Sequence, residues 1–221
     1  MNEFIEIFSS SDPTSISTSV KLLLLLTVFS LAPGILILMT SFTRIVIVLS
    51  FVRTSLATQQ MPPNQVLVGL ALFLTFFIMA PTFQQVYDEA LEPLFAEEVT
   101  LDEAYESASV PMKEFMAKHT RQKDLALFMN YSGAERPETI QDIPLMTLIP
   151  AFAISELKTA FQMGFMIFIP FLVIDMAVAS VLMSMGMMML PPVMISLPFK
   201  ILLFVLVDGW YLITHSLLNG F

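Results

Sequence analysis

The chain has 221 residues, 56% of them hydrophobic and 13% charged, with a formal net charge of −9 and no cysteine. Soluble domains carry about 25% charged residues. The numbers therefore exclude disorder, which needs low hydrophobicity, argue against a soluble enzyme, and speak against nucleic acid as a partner, since phosphate binding needs a basic surface. An integral membrane protein remains, built without disulfides or Fe–S clusters.

Residues 1–19, with Glu3, Glu6 and Asp12, read as an acidic N-terminal segment. The first hydrophobic helical hairpin covers 20–87, from hydropathic segments near 20–43 and 64–87. Charge-free runs Leu22–Thr43 and Thr54–Tyr87 form most of it, and a helix needs about 20 apolar residues to span a bilayer. Ser30-Leu31-Ala32 has the small-residue spacing of a cleavage site. The preceding residues are acidic, however, where a signal peptide is basic, so the segment is read as retained. Pro33-Gly34 is expected to break the first segment, and Pro62-Pro63 precedes the second.

An acidic insert follows over 88–144, and its residues 88–142 hold 13 acidic and five basic residues. Thr100-Leu101-Asp102-Glu103 has the pattern of a capping box, and Ser109-Val110-Pro111 looks like a second helix start. Met112, Phe115, Met116 and His119 share one helical face, while Leu125, Phe128 and Met129 form a stripe out of phase with it. The insert is expected to hold two short helices with a break near 120–124, then a loop from Gly133 to Pro144.

Residues 145–221 form the second hydrophobic hairpin, from segments near 159–184 and 196–218. Pro170 and Pro191-Pro192 are the expected helix breaks here, and Pro198 helps bracket the turn. Glu156, Lys158, Asp175, Lys200 and Asp208 stand in or beside apolar runs, where a lone charge at the bilayer centre costs at least about 2.5–3.5 kcal/mol. Glu156, Lys200, Asp175 and Arg44 are the candidates for structural ion pairing. Glu156 is expected to pair with Lys200, within or between copies, and Asp175 to be hydrogen-bonded across a helix interface.

Seven methionines fall between Met176 and Met194, densest at Met187, Met188 and Met189 between Gly186 and Pro191. Methionine is flexible and suits irregular or changing surfaces. Three in succession in a turn cannot all enter one core. Repeated around an axis by several copies, they would form a deformable hydrophobic ring, a pore gasket. Arg44, Arg53 and Lys200 put the two hairpin turns in the cytoplasm, with the N-terminus, the insert and the C-terminus outside. No phosphate loop, paired-histidine metal motif or nucleophile elbow occurs, so neither an enzyme nor a cofactor is expected. The alternative class is a small-solute or ion transporter using Glu156, Asp175 and Lys200. Such transporters usually show internal repeats, and none is visible between the halves.

Several long motifs resemble the FliP family. They are Pro33-Gly34 through Thr40-Ser41-Phe42-Thr43-Arg44-Ile45 to Val52-Arg53, then Pro62-Pro63-Asn64-Gln65-Val66 with the run Leu70–Phe77. In the second half they are Ser155-Glu156-Leu157-Lys158, Ile169-Pro170-Phe171, Gly186-Met187-Met188-Met189, Leu197-Pro198-Phe199-Lys200 and Val207-Asp208-Gly209-Trp210. The resemblance implies a core subunit of the bacterial flagellar type III export gate in the cell membrane, related to SctR proteins. It implies a pentamer with FliQ and FliR, with FlhB and FlhA nearby, that passes unfolded flagellar subunits. It places the family's methionine ring on Met187–Met189 and its inter-subunit charged contacts on Glu156 and Lys200. The expected fold is an all-α integral membrane protein of kinked helical hairpins from four hydropathic segments, with a small helical extracytoplasmic insert.

Overall fold

The computed structural model describes residues 23, 26, 27, 30, 33–58, 60–133, 137–187 and 189–221, so the acidic N-terminal segment lies outside the described residues. It divides into two units, residues 1–37 and 38–221. In the first, the described residues are helical. Pro33 and Gly34 open the described helix Pro33–Met39, and residues 31–32 before them lie outside the described residues. The interruption comes at Thr40-Ser41, where the Thr40 hydroxyl accepts the Phe42 N–H at 3.3 Å, a local bond that competes with the helical ladder.

The second unit holds α1 (Phe42–Ser55), α2 (Asn64–Val86), α3 (Leu101–His119), α4 (Gln122–Ser132), α5 (Leu145–Ser184), α6 (Pro192–Leu206) and α7 (Gly209–Leu218). There is no strand among the described residues. The chain is an all-α protein with the helices of a membrane protein. α5 and the helix Asn64–Phe95, which is α2 continued through a π-helical turn over Tyr87–Leu91, are each long and apolar enough to cross a bilayer. The spans number up to four if each bent helix pair counts as one.

α1 is the hub. Ile45, Val48, Leu49 and Val52 are fully buried, and their spacing puts them on one helical face. They pack with Leu67, Ala71 and Leu74 of α2, Ala160 and Phe171 of α5, and Ile213 and Leu217 of α7. α1 and α5 run parallel, because Arg44 meets Glu156 and, further along both helices, Phe51 meets Phe161 edge to face at 5.4 Å. Gly164 makes the approach possible, since a Cβ there would stand 2.4 Å from the Phe51 ring.

The insert has its own core. Met116 and Met129 are buried with Ile143, Leu148 and Phe152, so the first turns of α5 belong to it. Thr100 and Glu103 complete the expected capping box. The break between α3 and α4 falls at Thr120-Arg121. The second start expected at Ser109 is absent, because α3 runs through Pro111. The Ser109 hydroxyl donates back to the Glu106 carbonyl at 2.8 Å instead of capping a new helix.

Two more expectations on helix breaks change. α5 runs through both Pro150 and Pro170 for 40 residues, about 60 Å at 1.5 Å per residue. A proline's φ is already helical and it forfeits one backbone bond, which the surrounding apolar packing outweighs. Pro198 likewise lies inside α6. The break in the fourth segment falls instead at Asp208, whose φ is 52°, and α6 and α7 bend there by 61°. Pro191 and Pro192 do mark a boundary, as the N-cap and first residue of α6.

Candidate functional site

Two ion pairs are strung along α5, the first buried and the second partly so. At the insert end, the Arg44 guanidinium grips Glu156 with both sides of its fork, Nε to Oε2 at 2.8 Å and Nη2 to Oε1. These side chains are 4% and 0% exposed. A planar guanidinium matches a carboxylate in this bidentate geometry. The remaining Arg44 nitrogen, Nη1, donates to Gly220 O at 2.7 Å, and the guanidinium carbon lies 3.8 Å from the centre of the Phe221 ring. One arginine thus ties α1, α5 and the end of the second hairpin together.

The second pair lies deeper along α5. Lys200 Nζ donates to Asp175 Oδ2 at 2.7 Å and to Ser55 O at 3.1 Å, while Ser196 Oγ donates to Asp175 Oδ1. Lys200 therefore neutralises a carboxylate and satisfies a carbonyl left open at the end of α1. The expected pairing of Glu156 with Lys200 is not the one made within the chain. Glu156 and Asp175 are 19 residues apart on one helix, about 28 Å, and each carboxylate has its own cation. Asp175 is hydrogen-bonded across the α5–α6 contact.

Around Arg44, the insert and α7 close over one another. Phe221 stacks on Phe115 with centroids 6.1 Å apart and meets the His119 ring at 5.0 Å, while Lys118 Nζ donates to Phe221 O at 3.0 Å. Burial, with the positive Arg44 and Lys118 nearby, pushes the His119 imidazole down to about 4, so it is neutral at ordinary pH. On the neighbouring face, Ser155 Oγ accepts the Arg121 N–H at 3.1 Å and donates to Asp124 at 2.7 Å. Sequence reasoning missed Lys118, Phe221, Ser155 and Asp124. They act through partners tens of residues away, and no local spacing signals them.

The methionine loop joins α5 to α6. Gly186, with φ +75°, ends α5. Its N–H bonds to Met183 O at 3.1 Å and the Met187 N–H to Leu182 O at 3.0 Å, the paired bonds of a Schellman cap that favours glycine at the left-handed position. Pro191 and Pro192 then restart the helix. Between these stops Met187 is 44% and Met189 99% exposed, beside Met185 at 61% and Leu190 at 44%. Met188 lies outside the described residues.

A family model for FliP matches residues 24–217, a span that holds both ion pairs and the methionine loop. The chain belongs to the FliP family. It is 79% identical to the flagellar biosynthetic protein FliP of Bacillus subtilis (strain 168), over 100% of both chains. It is 57% identical to the protein of that name in Caulobacter vibrioides over 91% of this chain and 76% of the relative. With that of Pectobacterium carotovorum the identity is 54%, over 92% and 79%. The FliP model thus covers Arg44, Glu156, Asp175 and Lys200, while Gly220 and Phe221, which cap Arg44, lie beyond the matched residues.

Proposed function

We propose that this chain is a core channel subunit of the flagellar type III export gate, assembling as a pentamer with FliQ and FliR in the bacterial cell membrane. FlhB and FlhA stand nearby, and unfolded flagellar subunits are the cargo. Met187, Met188 and Met189 are the gasket that closes the channel between passengers. The observation that carries this reading is the loop itself. A glycine cap and two prolines hold a short methionine-rich segment open at the end of a 40-residue helix, with Met189 almost wholly exposed. In a single copy the Met189 side chain has nothing to pack on, and a ring of copies would cover it. Flexible thioethers seal against ions and give way to a large apolar chain.

In this reading the ion pairs are structural, holding α1, α5 and α6 in one frame from which the loop projects. The insert and the C-terminus face outside, the hairpin turns face the cytoplasm, and residues 88–144 are an extracytoplasmic domain. The geometry supports the shared side, because Lys118 and His119 of the insert contact Phe221 directly. The transporter alternative has weaker support, since Glu156 and Lys200 are buried and each of Glu156, Asp175 and Lys200 is already paired. Replacing Met187, Met188 and Met189 by serine should raise ion leak through the assembled complex, read as conductance or as loss of membrane potential, with subunit stoichiometry unchanged. An assembled triple variant that stays ion-tight would remove the gasket role.

A further inference from the structure

Arg53, Lys158 and Asp208 of the apolar hairpins have no oppositely charged partner among the described residues, and two of them, Arg53 and Asp208, sit at one level of the molecule. Asp208 stands where α6 and α7 bend, in left-handed backbone that a non-glycine residue rarely adopts. Its carboxylate makes no capping bond to α7. It is exposed, and its neighbours Val205, Leu206 and Val207 are 69%, 73% and 46% exposed. A carboxylate on so apolar a surface is expensive in lipid and calls for a cation. Arg53, half-buried at the end of α1, has only neutral partners, Asn64 Oδ1 and Pro62 O.

Their common level follows from the packing. Lys200 Nζ touches Ser55 O, two residues from Arg53. Phe204, one turn beyond Lys200, packs on Phe171 with ring centroids 6.3 Å apart and on Trp210 at 5.3 Å, and its ring fills the space beside Gly209. Asp208 is therefore within one or two turns of Arg53 along α5. Because α6 runs antiparallel to α5, Asp208 is level with about residue 167, and Lys158, the exposed cation of α5, lies about nine residues before that level, roughly 14 Å away. Arg44 and Lys200 are buried and taken. Among the described residues of the hairpins, Arg53 is thus the accessible cation at the depth of Asp208.

We propose that Arg53 of one copy pairs with Asp208 of a neighbouring copy of this chain. The contact is head-to-tail, joining two different patches, so repetition builds a ring or a helical stack. The proposal rests on the oligomeric reading above and names the contact that sets neighbours in register.

The absence of native cysteine makes the test direct. Protein carrying both Arg53→Cys and Asp208→Cys, treated in native membranes with a short bismaleimide whose span stands in for the long arginine side chain, should give a ladder of cross-linked multimers. Each single variant should give none, and the two co-expressed should give dimers. Monomer alone, or a link closed within one chain, overturns the pairing when the same variant purifies as an oligomer, and the oligomer reading then survives. A native chain that purifies only as a monomer removes both. Should the cysteine pair fail to assemble, the charge exchange decides. Arg53→Asp or Asp208→Arg alone should cut assembled complex by more than about tenfold, as loss of one member of a desolvated pair does, and the double exchange should restore most of it. Equal loss in singles and double overturns the proposal.

Discussion

The two ends of α5 follow opposite rules. At the insert end, polar and aromatic groups are matched: Arg44 with Glu156, Gly220 and Phe221, Ser155 with Arg121 and Asp124, and Phe115 with Phe152 and Phe221. At the other end, beyond Lys200 and Asp175, the chain exposes methionine, leucine and valine. The first end joins helices through buried polar contacts, and the second leaves apolar side chains exposed in the single chain. A long helix that is apolar throughout says nothing of this division, because hydropathy measures affinity for a non-aqueous setting and not what supplies it.

The sharpest way to break the comparison is at the first end. Glu156→Ala leaves Arg44 buried without its carboxylate, and removing one member of a buried pair costs about 3–5 kcal/mol. Purified protein should lose that much stability to denaturant, or fail to accumulate, and Arg44→Ala should match it. Gly164→Ala drives a methyl into the Phe51 ring and should cost about 1–3 kcal/mol as an overpacked contact, seen as a lowered melting temperature.

His119 gives a smaller effect with a defined sign. Its imidazole is held down to about 4 in the folded chain, from an ordinary value of 6.5. Between these values the unfolded chain binds more protons, so stability rises with pH across this window and levels off above it. His119→Gln should flatten that slope in pH-resolved unfolding while leaving the high-pH plateau nearly in place. The smallest effect belongs to the second end. Met189→Ser removes an almost wholly exposed side chain and should change unfolding stability by less than about 0.5 kcal/mol, although ion leak should rise. A large loss of stability there would mean that the loop packs within its own chain.

Much of this was legible in residue order. The capping box at Thr100 and Glu103, the helix end at Gly186 and the restart at Pro191-Pro192 depend on neighbours a few residues apart, and so appear as patterns. The family motifs drew attention to Arg44, Glu156 and Lys200, each of which makes an ion pair within the chain. What misled was punctuation by proline. Pro111, Pro170 and Pro198 lie inside helices because their surroundings outweigh one lost hydrogen bond, whereas Asp208, an ordinary residue by propensity, bends its segment.

The sequence by itself determined an apolar all-α membrane protein of the FliP kind, an acidic helical insert and a methionine loop held open by glycine and proline. These rest on composition and on contacts of short range. Only the tertiary structure decided who neutralises whom. Arg44 reaches Glu156 across 112 residues, and Lys200 reaches Asp175 and the end of α1, because the packing of α1 and α6 on α5 sets those side chains face to face. A buried charge takes the partner that geometry delivers at hydrogen-bond distance, and that geometry comes from the packing of helices distant in the chain.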